Sequence, residues 1–508
     1  MKLFTADQIR SLDKYTIENE PISSIDLMER ASGKLFRVIK KLFKQDTEIA
    51  VFAGPGNNGG DGLAVARLLT NDDYTVSVYL FTKTDKLSPD CKTNYDRLIS
   101  IGVQSETVNP TKLPGLENKV VIDAIFGSGL SRKAEGTYGQ VIQFINQNKC
   151  TVISIDVPSG LFCESNSDND PESIIQAHYT ISFQVPKMAY LFAENEQFTG
   201  HVIVEDIGLM REAMDKTPSP YKLIDKADAA YILKKRKKFS HKGTYGHALL
   251  LAGSYGKMGA AILSSKACLK SGVGLLTTHV PKCGYDIFQT AVPEAMACID
   301  RSEYLISGLP DLSPFNAIAI GPGIGTKPNT VSLMKDLLEQ YSGDMVIDAD
   351  GLNILSQNKD LLEKLPPNTI LTPHPGEFAR LFGSYKDGFE RMQRQIELSK
   401  QYNCIIVLKG AHTAVTNPEG ECHFNTTGNP GMASAGSGDA LTGMILSFLS
   451  QGYPAFEAAK LAVWLHGKSA DMFVLNQGME ALTATDIING IGTTIHENLI
   501  GSAKENYF

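Results

Sequence analysis

Nine residues, Gly54-Pro55-Gly56-Asn57-Asn58-Gly59-Gly60-Asp61-Gly62, set five glycines among two amides and a carboxylate. They follow the apolar run EIAVFA (48–53) and lead into the helix-forming string GLAVARLLT. At such a strand-to-helix junction, glycines let the backbone approach a ligand and take positive φ without steric cost. The first free N–H groups of the helix point at whatever sits there. The loop therefore reads as an anion or nucleotide site, and equally as a surface turn, since Asn-Gly and Asp-Gly are common turn dipeptides.

A second loop, Asn429-Pro430-Gly431-Met432-Ala433-Ser434-Ala435-Gly436-Ser437-Gly438-Asp439, runs into the apolar helix string ALTGMILSFLS. Clustered backbone N–H groups at a helix start suit the charge on a transferring phosphoryl group. Asp439, in the first turn, is placed to take a proton from an attacking hydroxyl. It also has a purely structural reading, as a carboxylate favoured by the positive helix end. Three more motifs follow probable strands: Gly321-Pro322-Gly323-Ile324-Gly325, Pro373-His374-Pro375-Gly376-Glu377-Phe378-Ala379-Arg380, and Lys409-Gly410-Ala411-His412-Thr413. The ends of parallel strands are where open α/β sheets bind ligands. No GxxxxGK[ST] occurs, which disfavours a P-loop NTPase.

The elements that must carry these loops are legible in the alternation of the chain. Residues 5–44 predict two helices, with Thr5 and Gln8 as a capping box and Pro21 between them. Short β-branched runs (EIAVFAG, YTVSVYLF, KVVIDAIFG, TVISIDVPSG, HYTISFQVP, GHVIVEDIG) then alternate with helical segments up to about residue 208. A different texture, with Pro218, Pro220 and the basic run 234–238 (KKRKK), separates this half from a second alternation beginning at Gly246. The halves do not repeat each other, so the expectation is two different three-layer α/β domains built on mostly parallel sheets.

Composition narrows the class. The 508 residues are 43% hydrophobic and carry a formal charge of −8, enough core for several domains and no basic surface for nucleic acid or anionic membrane. The basic run reads as a solvated face rather than a nucleic-acid patch. No run of 18 apolar residues appears, and the charged N-terminus is unlike a signal peptide. Eight scattered cysteines without CxxC, and ten histidines without metal-ligand spacing, predict a reduced cytoplasmic protein without disulfides or zinc.

NPGMASAGSGDALTG, with GPGIG, DADGLN, TPHPGEFARL and LKGAHT, resembles the ADP-dependent NAD(P)H-hydrate dehydratases of the ribokinase-like fold. GPGNNGGDG, VIDAIFGSGL and SIDVPSGL resemble the NAD(P)H-hydrate epimerase domain, which is Rossmann-like. In this order the motifs resemble the bifunctional NAD(P)H-hydrate repair enzymes over nearly the full length. Departures are slight: Ala435 stands where glycine is frequent, and a polar insertion, ESNSDNDPES, follows SIDVPSGL. The resemblance implies an epimerase domain over 1–212, a linker over 213–225 and a dehydratase domain over 226–508.

The resemblance implies that hydrated NADH and NADPH are the substrates: the first half interconverts R and S hydrates, and the second dehydrates the S form using ADP. In the first half it assigns hydrate binding to Asn57, Asn58, Gly59, Gly60 and Asp61 and to Gly127, Ser128, Gly129, Leu130, Ser131, Arg132 and Lys133. It gives Asn58, Asp123 and Ser159 to a potassium ion, and Asp156 to the substrate as acid/base; the competing reading of Asp156 is that it orders its loop. In the second half it assigns hydrate binding to Gly325, His374, Pro375, Gly376, Glu377, Phe378, Ala379 and Arg380. ADP falls to Lys409, Gly410, Ala411, His412 and Thr413 and to Asn429, Pro430, Gly431, Met432, Ala433, Ser434, Ala435, Gly436, Ser437 and Gly438. Asp439 becomes the base, and magnesium accompanies ADP. A homo-oligomer is also implied. Two rival readings remain: a ribokinase-like small-molecule kinase with an N-terminal regulatory module, and an N-terminal half that only binds a metabolite or protein.

Overall fold

The computed structural model describes residues 1–500. The chain divides into two compact units, one of Lys2–Ser219 with Lys386–Glu390, the other of Met1, Pro220–Tyr385 and the residues from Arg391 on.

The first unit opens with the helices Ala6–Asn19 and Ser24–Leu42, the former capped by the expected Thr5–Gln8 box. Its sheet contains β1 (Ile49–Ala53), β2 (Val76–Leu80), β3 (Ser105–Thr107), β4 (Val120–Ala124), β5 (Thr151–Ile155), β6 (Tyr179–Phe183) and β7 (His201–Glu205). All seven are parallel, in the order β3-β2-β1-β4-β5-β6-β7. Both faces of β1 are buried: Ile49, Val51 and Ala53 pack into one core, Ala50 and Phe52 into the other. This explains why the strand reads as a continuous apolar run rather than an alternation. The order reverses between β1 and β4, the position at which a doubly wound sheet opens a crevice. The glycine-rich loop leaves β1 at that point.

Among the described residues the second unit has ten strands: β8 (Tyr221–Ile224), β9 (His247–Leu251), β10 (Leu275–Val280), β11 (Met296–Ile299), β12 (Ala317–Ile320), β13 (Asp344–Ile347), β14 (Ile370–Leu371), β15 (Ile405–Leu408), β16 (Ala414–Thr416) and β17 (Cys422–Asn425). Their order is β11-β10-β9-β12-β13-β14-β15-β16-β17-β8. Pairing is parallel from β11 through β15, and the β15–β16–β17 meander is antiparallel. Alternate residues of β9 again feed two cores, Ala248 and Leu250 into one and Leu249 and Leu251 into the other. The apolar helix Ser437–Ser450 is buried through nearly its whole length. It lies so close to the helix Met258–Lys270 that a Cβ at Gly443 would stand 2.0 Å from the Ser264 carbonyl oxygen.

The segment 213–225 is more than the linker read from sequence. Helix Arg211–Lys216 enters it, and Tyr221–Ile224 is an edge strand of the second sheet, paired in parallel with β17. Four residues between prolines and charges give too short a pattern to read as a strand. In the basic run, Lys234 lies over the Tyr453 ring at 4.3 Å and the Arg236 guanidinium over the Tyr245 ring at 4.0 Å. Those two side chains pin the run to its own unit.

Candidate active sites

In the first unit, Gly54 donates its N–H to the Ala124 carbonyl at 3.0 Å, and the helix Asn57–Thr70 starts three residues later. None of the five glycines takes positive φ, contrary to the use expected for them. Gly54, Gly59, Gly60 and Gly62 serve close approach of the chain to itself. A Cβ would lie 1.9 Å from the Ile125 carbonyl oxygen at Gly54, 2.0 Å from the Gly54 oxygen at Gly59, and 2.4 Å from the Ala124 Cβ at Gly62. The helix start is thereby pressed against the ends of β1 and β4.

This brings the polar residues together. Asn57 accepts from the Ser88 hydroxyl at 2.8 Å, and Asn58 donates through Nδ2 to the Phe126 carbonyl at 2.8 Å. Gly127 packs on the Asn58 amide, its missing Cβ position 3.0 Å from Oδ1. Asp123 is fully buried and accepts from the Ser154 hydroxyl and the Ser159 N–H, both at 2.8 Å, and from the Ser159 hydroxyl. Burial pushes its carboxyl above the usual range, against the pull of those donors. Ser159 also contacts the Phe126 carbonyl at 3.2 Å. Asn58, Asp123 and Ser159 thus share one neighbourhood. Gly129, Ser131, Arg132 and Lys133 stand exposed on their loop, with Leu130 half-buried.

Asp156 directly follows β5 with φ at 63°, a conformation costly for a residue with a Cβ. The Ser128 N–H donates to its carboxylate at 3.3 Å. Burial would raise its pKa, yet the Lys187 ammonium at 2.8 Å and the Ser128 hydrogen bonds win, leaving it below the usual carboxylate range. Asp61, also buried, has only the Ser32 hydroxyl at 3.3 Å, and burial followed by the charge of Asp156 drives its carboxyl well up. Burial and neighbouring charge thus shift the two carboxyls in opposite directions, Asp61 upward and Asp156 downward.

In the second unit the motifs converge at the C-terminal ends of β9 and β12 to β15. Asp348, just past β13, is 1% exposed. It binds the Lys409 ammonium at 2.9 Å and the Thr442 hydroxyl at 2.6 Å. Burial opposes its charge, but Lys409 and the hydrogen bonds hold its pKa below the usual range. Lys409 also lies 4.0 Å from Glu377. Gly436 caps the helix Ser437–Ser450 in the left-handed region at φ 87°, a conformation that favours glycine. A Cβ on Gly438 would come within 3.4 Å of the Lys409 ammonium. Asp439 therefore sits one helical step from the Lys409–Asp348 pair. Burial, then Asp348, raise its carboxyl to about 6, Lys409 opposing.

The surrounding residues are fixed by short local bonds. His374 and Glu377 form a capping box at the helix Pro375–Phe382, with Glu377 accepting from the His374 N–H at 2.8 Å. Gly325 donates to Asp350 at 2.8 Å, and Arg380 to the Asn353 side chain at 3.1 Å. Pro375, Gly376 and Ala379 belong to the same helix. Phe378 departs from the expectation: it is fully buried against Phe382, ring centroids 5.2 Å apart, so it builds core rather than a binding surface. Thr413 closes a tight turn on Gly410 at 3.0 Å, and half-buried His412 has its pKa lowered by burial. Asn429 is held by Asp471 at 3.0 Å, Pro430–Met432 form a single 3-10 turn, and Ala433 and Ala435 are exposed. His466 anchors the other end of the loop, its Nε2 2.9 Å from the Ser437 carbonyl oxygen.

Sequence reading missed Lys187, Tyr190, Ser32, Asp348, Asp350, Thr442, Asp471 and His466 as parts of these sites. Only the DADGLN string carried a signal for Asp348 and Asp350.

Residues 248–492 match the family described as NAD(P)H-hydrate dehydratase, and residues 24–189 match the YjeF-related protein N-terminus. A bifunctional NAD(P)H-hydrate repair enzyme Nnr from Moorella thermoacetica is 34% identical, with 96% of each chain covered. Its counterpart from Thermofilum pendens is 33% identical, covering 96% of this chain and 95% of the relative. The crystal structure of an ADP/ATP-dependent NAD(P)H-hydrate dehydratase from Bacillus subtilis, co-crystallized with ATP and Mg2+, is 31% identical with a TM-score of 0.47; it covers 54% of this chain and 96% of that one. With two α/β units in the matching order and full-length relatives of this identity, the chain belongs to the bifunctional NAD(P)H-hydrate repair enzymes.

Proposed function

We propose that the two sites divide the repair of hydrated NADH and NADPH between them, with residues 1–212 interconverting the R and S hydrates and residues 226–508 dehydrating the S hydrate. In the second site Asp439 accepts the proton of the ring hydroxyl as its oxygen attacks the terminal phosphoryl group of ADP. The N–H groups at the start of the helix Ser437–Ser450 and the Lys409 ammonium meet the charge that develops on phosphorus. A nucleoside monophosphate leaves. Phosphate then departs with the C–O bonding electrons, and loss of a proton from the adjacent carbon restores the ring double bond. Hydroxide is a poor leaving group and phosphate a good one, which gives ADP its purpose.

The place of Asp439 carries the reading: it stands in the first turn of the helix Ser437–Ser450 beside the Lys409–Asp348 pair, where burial raises its carboxyl to about 6 and makes it a better base. Asn57 to Asp61, Gly127 to Lys133 and Asp156 would hold the hydrate in the first site, with Asp156 as the acid/base. Gly325 and the strip from His374 to Arg380, less Phe378, would hold it in the second. Lys409 to Thr413 and Asn429 to Gly438 would hold ADP.

Two cations fit the residues present. Buried Asp123, whose charge its hydroxyl and N–H donors do not fully offset, would form with Asn58 and Ser159 an all-oxygen set suited to K+. Asp348 and Asp350 offer oxygens for Mg2+ arriving on ADP, where it would neutralise phosphate charge. We also infer a cytoplasmic homo-oligomer from the family resemblance; no described helix is long and apolar enough to cross a membrane. The test is to incubate purified protein with hydrated NADH and ADP. Phosphate should appear in step with recovered NADH. Recovery without phosphate would overturn the phosphoryl-transfer route.

A further inference from the structure

Lys187 lies four residues beyond β6, in a string (FQVPK) that looks like an ordinary strand exit. Yet its side chain is 1% exposed. Its ammonium donates to the Ser182 hydroxyl and the Phe183 carbonyl at 3.1 Å and the Val185 carbonyl at 3.3 Å, besides pairing with Asp156 at 2.8 Å. A buried ammonium is costly unless its hydrogens are all engaged. Here they are, and every partner lies within five residues of Lys187 except Asp156.

Asp156 is held from the other side as well. Its N–H donates to the Ile181 carbonyl at 2.8 Å, the Tyr190 hydroxyl donates to its carbonyl, and the Phe183 N–H reaches its carboxylate at 3.4 Å. These bonds hold it at positive φ. The charged and titratable groups facing it are Asp13 on the helix Ala6–Asn19, Asp61 on the helix Asn57–Thr70, Tyr190, Cys163 and Lys187. Lys187 is the cation in that set. Without it, burial and the two acidic neighbours would push the Asp156 carboxyl upward.

We propose that Lys187 is a positioning residue for epimerisation, which with Tyr190 keeps the Asp156 carboxylate ionised and aimed at the hydrated ring. The proposal rests on the reading of Asp156 as the acid/base group. Lys187 itself gives or takes no proton from substrate.

The experiment compares kcat/KM for R-to-S interconversion against pH in the full chain for wild type, Lys187→Met, Lys187→Arg and Asp156→Asn. Lys187→Met should move the acid limb upward, with activity falling about tenfold per pH unit below the new limb and returning toward wild type in alkali. Lys187→Arg keeps the charge and should keep the low limb. A folded Lys187→Met protein whose profile has the wild-type shape, at any amplitude, overturns the inference. If Asp156→Asn epimerises at the wild-type rate, it is the acid/base reading that fails instead. Should Lys187→Met not fold, carboxyl-13C NMR of wild type decides, with the Asp156 resonance assigned by its loss in Asp156→Asn. A titration below the ordinary aspartate value supports the proposal, and one at or above it overturns the proposal.

Discussion

Replacing Asp439 by asparagine should stabilise the second unit while abolishing dehydration. The carboxyl titrates at about 6 instead of 3.8, because burial and Asp348 both disfavour its charge. At about 1.4 kcal/mol per unit, that corresponds to roughly 3 kcal/mol of folding free energy spent on holding it ionised, or about 1–3 kcal/mol once partial exposure is allowed for. The sign follows from linkage. With the folded pKa above the unfolded one, the penalty is absent below about pH 4, grows between about 4 and 6, and is complete above. Asparagine is never charged, so its advantage should be full near pH 8 and vanish near pH 4. Trp464 is the one tryptophan, 3% exposed in the core of this unit, so its fluorescence reports the relevant urea transition alone. Asp439→Asn should show a higher urea midpoint near pH 8, with an unchanged slope, and none of that gain near pH 4. Equal or lower stability near pH 8 would refute the assignment of a strained, raised carboxyl.

Other perturbations test other parts. Lys409→Met strands buried Asp348 without its cation and should cost the second unit about 3 kcal/mol, read by the same fluorescence, along with ADP-dependent activity. Gly59→Ala forces a Cβ to 2.0 Å from the Gly54 carbonyl oxygen and should cost about 3 kcal/mol or more in the first unit, ending epimerisation while dehydration of S hydrate continues. If K+ occupies the site of Asn58, Asp123 and Ser159, exchanging it for tetramethylammonium should lower the melting temperature of wild type but not of Asp123→Asn.

How much was legible follows from the physics of each element. β1, β5 and β9 are buried on both faces, so their apolar runs stand out, and glycine loops after such strands mark the sheet ends where ligands bind. Asp439 was legible because its loop and its helix are contiguous. Asp348, Lys409 and Thr442 meet from β13, β15 and a helix far apart in the chain, and no local pattern announces that triad. Lys187 escaped notice because burial of a lysine is a tertiary property. For the glycines of 54–62 the expected positive φ is absent, and most of them instead let the chain pack closely on itself, a contact that composition alone does not identify. β8 and the β16–β17 pair are too short for periodicity to register. Phe378 shows the converse, a residue inside a binding motif that faces the core.

One chain should thus carry two independent chemistries on the same damaged dinucleotide. An epimer-resolved assay of wild type, Asp156→Asn and Asp439→Asn with mixed R and S hydrates and ADP tests it most directly. Wild type should consume both epimers. Asp156→Asn should consume S and leave R, and Asp439→Asn should interconvert the two without releasing phosphate. Loss of S-hydrate dehydration in Asp156→Asn, or phosphate release by Asp439→Asn at the wild-type rate, would contradict it.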